Sequence, residues 1–132
     1  MTYSSVVSRE SVRIAFTIAL NGLDVIMSNV GNAYLNARTL GKLYGIASME
    51  FGEQDVGKVC VIVRALYGLK SSGAIWRSHF ANDLRDMGFV STLADPDVSL
   101  RPETKKNGHE YYKYISENAV QITQQLVDDY KY

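Results

Sequence analysis

The chain has 132 residues, 14 Lys+Arg against 14 Asp+Glu, a formal net charge of zero, and 46% hydrophobic content. These values exclude a disordered chain and a globally basic nucleic-acid clamp, and leave open a local basic strip. The length suits one domain over residues 1–132, able to bury roughly two-thirds of its unfolded surface.

The lone Cys60 excludes a disulfide framework and a thiolate metal site. Its setting, Val59-Cys60-Val61-Ile62-Val63, predicts a small buried strand residue rather than a reactive thiol. No apolar run approaches the roughly 18 residues of a membrane span, and the polar start is unlike a signal peptide, so no membrane partner and an intracellular location are expected.

Val12, Ala15, Phe16, Ala19, Leu20 and Leu23 fall on one face of an amphipathic helix, with Ser8 as N-cap and Asn21-Gly22 as its stop. Val25-Ile26-Met27 reads as a buried strand. Gly31 to Ala37 reads as a turn into a short helix, and Leu43–Ile46 and Val59–Val63 as strands.

Ser71 is the candidate N-cap of the next helix, whose apolar stripe is Trp76, Phe80, Leu84 and Met87, with Gly88 at C′. A strand over Val98–Arg101, a turn at Asn107-Gly108 and a returning strand over His109–Ile115 make a hairpin. A helix from about Glu117, with Ala119, Ile122, Leu126 and Tyr130 on its apolar face, ends the chain. The mixture lacks a regular βαβ rhythm and predicts an α+β fold.

Templates for chemistry are mostly empty. His79 and His109 have no spaced metal-ligating partners, and neither a phosphate-cradling glycine loop nor a serine elbow is present. Asp95 and Asp97 flank Pro96 as a turn whose side chains bond their own backbone. Lys42, Lys58, Arg64, Lys70 and Arg77 fit a backbone-tracking groove or a solvated face.

Two motifs are more specific. Ala65-Leu66-Tyr67-Gly68-Leu69-Lys70-Ser71-Ser72-Gly73-Ala74-Ile75-Trp76 resembles the fingers–palm junction of copia-type retrotransposon reverse transcriptases. Asn32-Ala33-Tyr34-Leu35-Asn36-Ala37 resembles the second half of that family's first catalytic motif. Ser11 to Leu23, Met87-Gly88-Phe89 and Ala94-Asp95-Pro96-Asp97-Val98 extend the likeness in order.

The resemblance implies part of an RNA-directed DNA polymerase, a fingers/palm fragment with a small, mostly antiparallel sheet packed by helices. Thumb, RNase H and integrase would be absent. Template-primer RNA or DNA and deoxynucleotides would be its partners, and Mg²⁺ the family's cofactor, held by carboxylates because it is a hard cation. The oligomeric state is open.

By the same resemblance, Tyr34 would exclude a 2′-hydroxyl, Val30 and Ala33 would border the nucleotide, and Gly68 and Lys70 would meet nucleotide or template. Independently of the resemblance, a domain that binds without catalysis would grip nucleic acid or a partner chain through Lys58, Arg64, Lys70 and Arg77. Ordinary core burial remains the rival role for Tyr34, and a plain turn for Gly68.

Two departures count against activity. Asn29 stands where the family has its first metal-binding Asp, and losing that charge costs about 4 kcal/mol of transition-state stabilisation, about a thousandfold in rate. Asn29 also suits a strand end that caps the following turn. Leu126-Val127-Asp128-Asp129 superficially matches the family's Asp-Asp hairpin, but its flanks have helical period, and on a helix Asp128 and Asp129 diverge by about 100°.

A better alignment sets Glu110–Tyr114 before the catalytic hairpin and Ile115–Ala119 after it, with roughly nine hairpin residues deleted. Ser99 stands where the family commonly has an aromatic. The expectation is an inactive fragment binding no Mg²⁺. The alternatives are a nucleic-acid or protein binding module, a relic without function, and an active domain whose ligands are Asp128 and Asp129.

Overall fold

In the computed structural model, the described residues are 4–5, 7–21 and 29–116. They form helices α1 (Arg9–Leu20), α2 (Ala33–Asn36) and α3 (Ser72–Asp86), and strands β1 (Arg38–Ile46), β2 (Val59–Arg64), β3 (Val90–Ser91), β4 (Val98–Thr104) and β5 (Glu110–Ser116). The α+β expectation holds, with two small antiparallel sheets, β1-β2 and β3-β4-β5, in place of one. The expected strand at Val25–Met27 and the helix from Glu117, with Asp128 and Asp129, lie outside the described residues. The chain divides into two compact units: residues 1–4 with 31–80, and residues 5–30 with 81–132.

In the first unit, β1 and β2 pair with Leu43 opposite Ile62, Tyr44 opposite Val61, Gly45 opposite Cys60 and Ile46 opposite Val59. Because side chains alternate across a pleated strand, Leu43, Cys60 and Ile62 share one half-buried face. Tyr44, Ile46, Val59, Val61 and Val63 share the other, which is exposed.

This corrects two expectations. The apolar run of β2 is covered on one side only, and Cys60 is half-buried rather than buried. β1 also begins earlier than the apolar pattern suggests, at Arg38 opposite Arg64, with a bulge between Arg38 and Leu43. Thr39 Oγ1 donates to the Ile62 carbonyl at 3.0 Å inside that bulge. Buried Ala37, Ala65 and Ile75 form the unit's core, with Tyr34 and Trp76 packed against it.

α3 follows Ser71, whose carbonyl accepts the Ile75 N–H at 3.0 Å, as an N-cap carbonyl should. Its end is a Schellman turn: Phe89 N donates to Leu84 O, and Gly88 N, at φ +84°, to Arg85 O, both at 2.9 Å. The turn carries Phe89 into the core beside Leu84 and leaves Met87 51% exposed, so the predicted apolar stripe stops one turn short.

In the second unit, α1 starts where expected: Ser8 Oγ accepts the Ser11 N–H at 3.1 Å. It stops at Asn21, and Leu20 is exposed rather than on the buried face. β4 and β5 pair from Val98–Ser116 to Thr104–Glu110. Their turn has Gly108 at φ +83°, with Gly108 N on Lys105 O and Lys105 N on His109 O, a three-residue loop closed by a glycine bulge. β3 is too short for the alternation test and was not expected from sequence. Buried Ser99 lies opposite Ile115, at a position too enclosed for an aromatic ring without repacking.

Candidate nucleic-acid interface

Asn32 adopts a left-handed conformation (φ 49°), which Asn tolerates better than most residues, and turns the chain into α2. One residue later Ala33 is half-buried, and Tyr34 packs on the Ala37–Ala65–Ile75 core. Tyr34 also stacks on Tyr67, ring centroids 4.6 Å apart at 28°. Tyr67 is 64% exposed and offers its outer ring face to solvent.

The next residue, Gly68, has φ +94°, and a Cβ there would meet nothing within 4 Å. Backbone conformation, without any close approach inside the protein, accounts for this glycine. Lys70 follows, exposed. Gly73 is different: an added Cβ would lie 3.3 Å from Ser4 Cβ and 3.6 Å from the Tyr34 hydroxyl.

The basic side chains are not equivalent. Lys58 is ion-paired to Asp55 at 2.7 Å. The Arg64 guanidinium donates to the Asn36 carbonyl at 3.1 Å, which ties β2 to the end of α2. Arg77 is half-buried on α3. Arg38, opposite Arg64 across the ribbon, escaped the sequence reading because only strand pairing brings it there.

The first unit holds six Lys/Arg (Arg38, Lys42, Lys58, Arg64, Lys70, Arg77) against three acidic residues (Glu50, Glu53, Asp55), a net +3. All three acids sit in the β1–β2 turn, so the rest of that unit carries no anionic side chain. The chain's neutrality conceals this local positive field.

Asn29 and Val30 are exposed and belong to the second unit. In the same unit the Asp95 carboxylate is engaged by the start of α1. Asp95 Oδ2 accepts from Ser8 N at 2.9 Å and Ser11 Oγ at 2.6 Å, and Oδ1 accepts from Asp97 N at 3.1 Å. The turn role expected of Asp95 is therefore present, together with an unforeseen one at the start of α1. Burial pushes this carboxyl up, but the Ser11 hydroxyl, the Ser8 and Asp97 amides and the Ser8 hydroxyl outweigh it and hold the pKa at about 2.

Among the described residues no group of three or more His, Cys, Asp or Glu could hold a metal ion. Asn29 supplies a neutral amide and the Asp95 carboxylate already accepts three N–H and O–H hydrogen bonds, while Asp128 and Asp129 lie outside the described residues. Among the same residues no helix is long and apolar enough to cross a membrane.

The chain is 30% identical over 99 residues to the retrovirus-related Pol polyprotein from transposon RE1 of Arabidopsis thaliana, covering 74% of this chain and 7% of that protein. It is 28% identical over 131 residues to the corresponding polyprotein from transposon TNT 1-94 of Nicotiana tabacum, covering 96% of this chain and 9% of that protein. This similarity supports a retrotransposon-derived origin. The chain spans less than a tenth of the length of these relatives. No protein-family model matches the chain, and no solved structure does.

Proposed function

We propose that the chain is a partial reverse transcriptase domain of a copia-type retrotransposon, a fingers/palm fragment that no longer transfers nucleotides and retains contact with RNA or DNA through its basic unit. The observation that carries the reading is the local field of the first unit: five of its six cations, all but Lys58, lie outside the one acidic turn, and a solvent-facing Tyr67 lies between Arg64 and Lys70 in the chain. Cations track phosphates and an aromatic face stacks bases, which together suit a single strand held without sequence readout.

The inactive half of the reading rests on Asn29, placed in register by Ala33 and Tyr34, and on a hairpin missing between Tyr114 and Ile115. β5 runs unbroken across that junction, every residue from Glu110 to Ser116 paired with β4. A deletion there is compatible with a regular ladder.

Primer extension on an RNA template, with Mg²⁺ and with Mn²⁺, is expected to give no incorporation, and clear incorporation overturns the inactive half. Binding of single-stranded RNA is expected to weaken with salt and on replacing Arg64 and Lys70 by Ala. A folded chain with no salt-sensitive binding overturns the other half.

A further inference from the structure

We propose that the outward face of the β1–β2 ribbon is a self-association surface, occupied by the same face of a second copy of this chain. It consists of Tyr44, Ile46, Val59, Val61 and Val63, which are 55–76% exposed. Directly opposed pairs, Tyr44 with Val61 and Ile46 with Val59, make it continuous across both strands. A contiguous exposed apolar patch of this kind marks an association surface more often than a solvated one. β2 is an unbroken apolar run, and only the Cys60–Ile62 side is covered.

The available area favours a second copy. At these exposures the five residues present roughly 600 Å² per copy, so stacking two faces removes at most about 1,200 Å², at the lower edge of specific interfaces. Two such faces meeting about a symmetry axis bring equivalent residues together and close at two copies. Association by strand addition is disfavoured on the β1 side, where the bulge between Arg38 and Leu43 and the charged Lys42 interrupt the free edge. The first unit of each copy carries net +3, so their mutual repulsion is relieved, not created, by salt.

Sedimentation velocity of the full, nuclease-treated chain from about 1 to about 100 µM tests this. The expected result is a mass rising from one copy to a plateau at two, unchanged or favoured when salt is raised. Val61→Lys is expected to weaken association at least tenfold, and Leu93→Lys, at a fully exposed position in the other unit, to leave it alone. Tyr44→Lys, on the facing strand, repeats the test if Val61→Lys loses its far-UV circular dichroism. A folded monomer at every concentration, growth past two copies without a plateau, or equal loss from Leu93→Lys overturns the proposal. No nucleic acid is present, so the outcome is independent of the polymerase-derived reading.

Discussion

Asp95 and Ser11, 84 positions apart, are joined by a buried 2.6 Å hydrogen bond from the Ser11 hydroxyl to the Asp95 carboxylate. With the Ser8 amide on the same oxygen, the carboxylate sits at the positive end of α1, where the first N–H groups lack intrahelical partners. Tyr114 donates its hydroxyl to the Ser11 carbonyl at 3.0 Å, so β5 is fastened to the same turn.

The pH dependence of stability follows. Asp95 titrates near 3.8 unfolded and at about 2 folded, so its contribution is complete above the unfolded value and is lost as pH falls from about 4 through 2. Asp95→Asn is expected to flatten this acid limb and to lower stability at neutral pH by about 1–2 kcal/mol. Urea midpoints at pH 7, 4 and 2.5 would check it, and an unchanged acid limb would refute it.

Ser8→Ala removes the side-chain acceptor for the Ser11 amide and is expected to cost about 1 kcal/mol. Ser11→Ala and Asp95→Asn should be non-additive by about 1 kcal/mol, since either one ends the same bond. Chemical denaturation of both singles and the double gives the coupling, and strict additivity would contradict the shared bond.

Gly88→Ala places a Cβ at φ +84° in the turn that ends α3 and is expected to destabilise by about 1 kcal/mol. Gly31→Ala is expected to be near neutral, because nothing lies within 4 Å of the added Cβ and φ is not positive there. Thermal melts of the two variants should separate clearly.

Tyr67→Ala is expected to weaken single-stranded RNA binding about tenfold, the scale of one lost base stack. Lys70→Ala should lower the salt slope by about one charge. Lys58→Ala should do less, because Asp55 already neutralises that ammonium. Fluorescence anisotropy across a salt series reads all three, and equal effects from Lys58 and Lys70 would show that the ion pair opens on binding.

Capping and turn chemistry were legible because they act over a few residues: Ser8, Gly88 and Asn107-Gly108 each do what their type and position require. The candidate site was only partly legible. Tyr34, Gly68 and Lys70 could be singled out, but Tyr34's stacking on Tyr67 depends on α2 packing against the loop after β2. The apolar runs misled because period-2 patterning tells which residues share a face and not whether that face is covered.

By itself, then, the sequence determined α1, α2, α3, β2 and the β4–β5 hairpin in their order, the caps at Ser8, Ser71 and Gly88, and the retrotransposon likeness. Tertiary structure alone decided that β2 is covered on one side, that Met87 gives way to Phe89, that Arg38 faces Arg64, and that Asp95 holds the start of α1. The physical reason is range. Capping and turn preferences are settled by neighbours within four or five positions, whereas burial, charge fields and carboxylate partners depend on residues that only folding brings together.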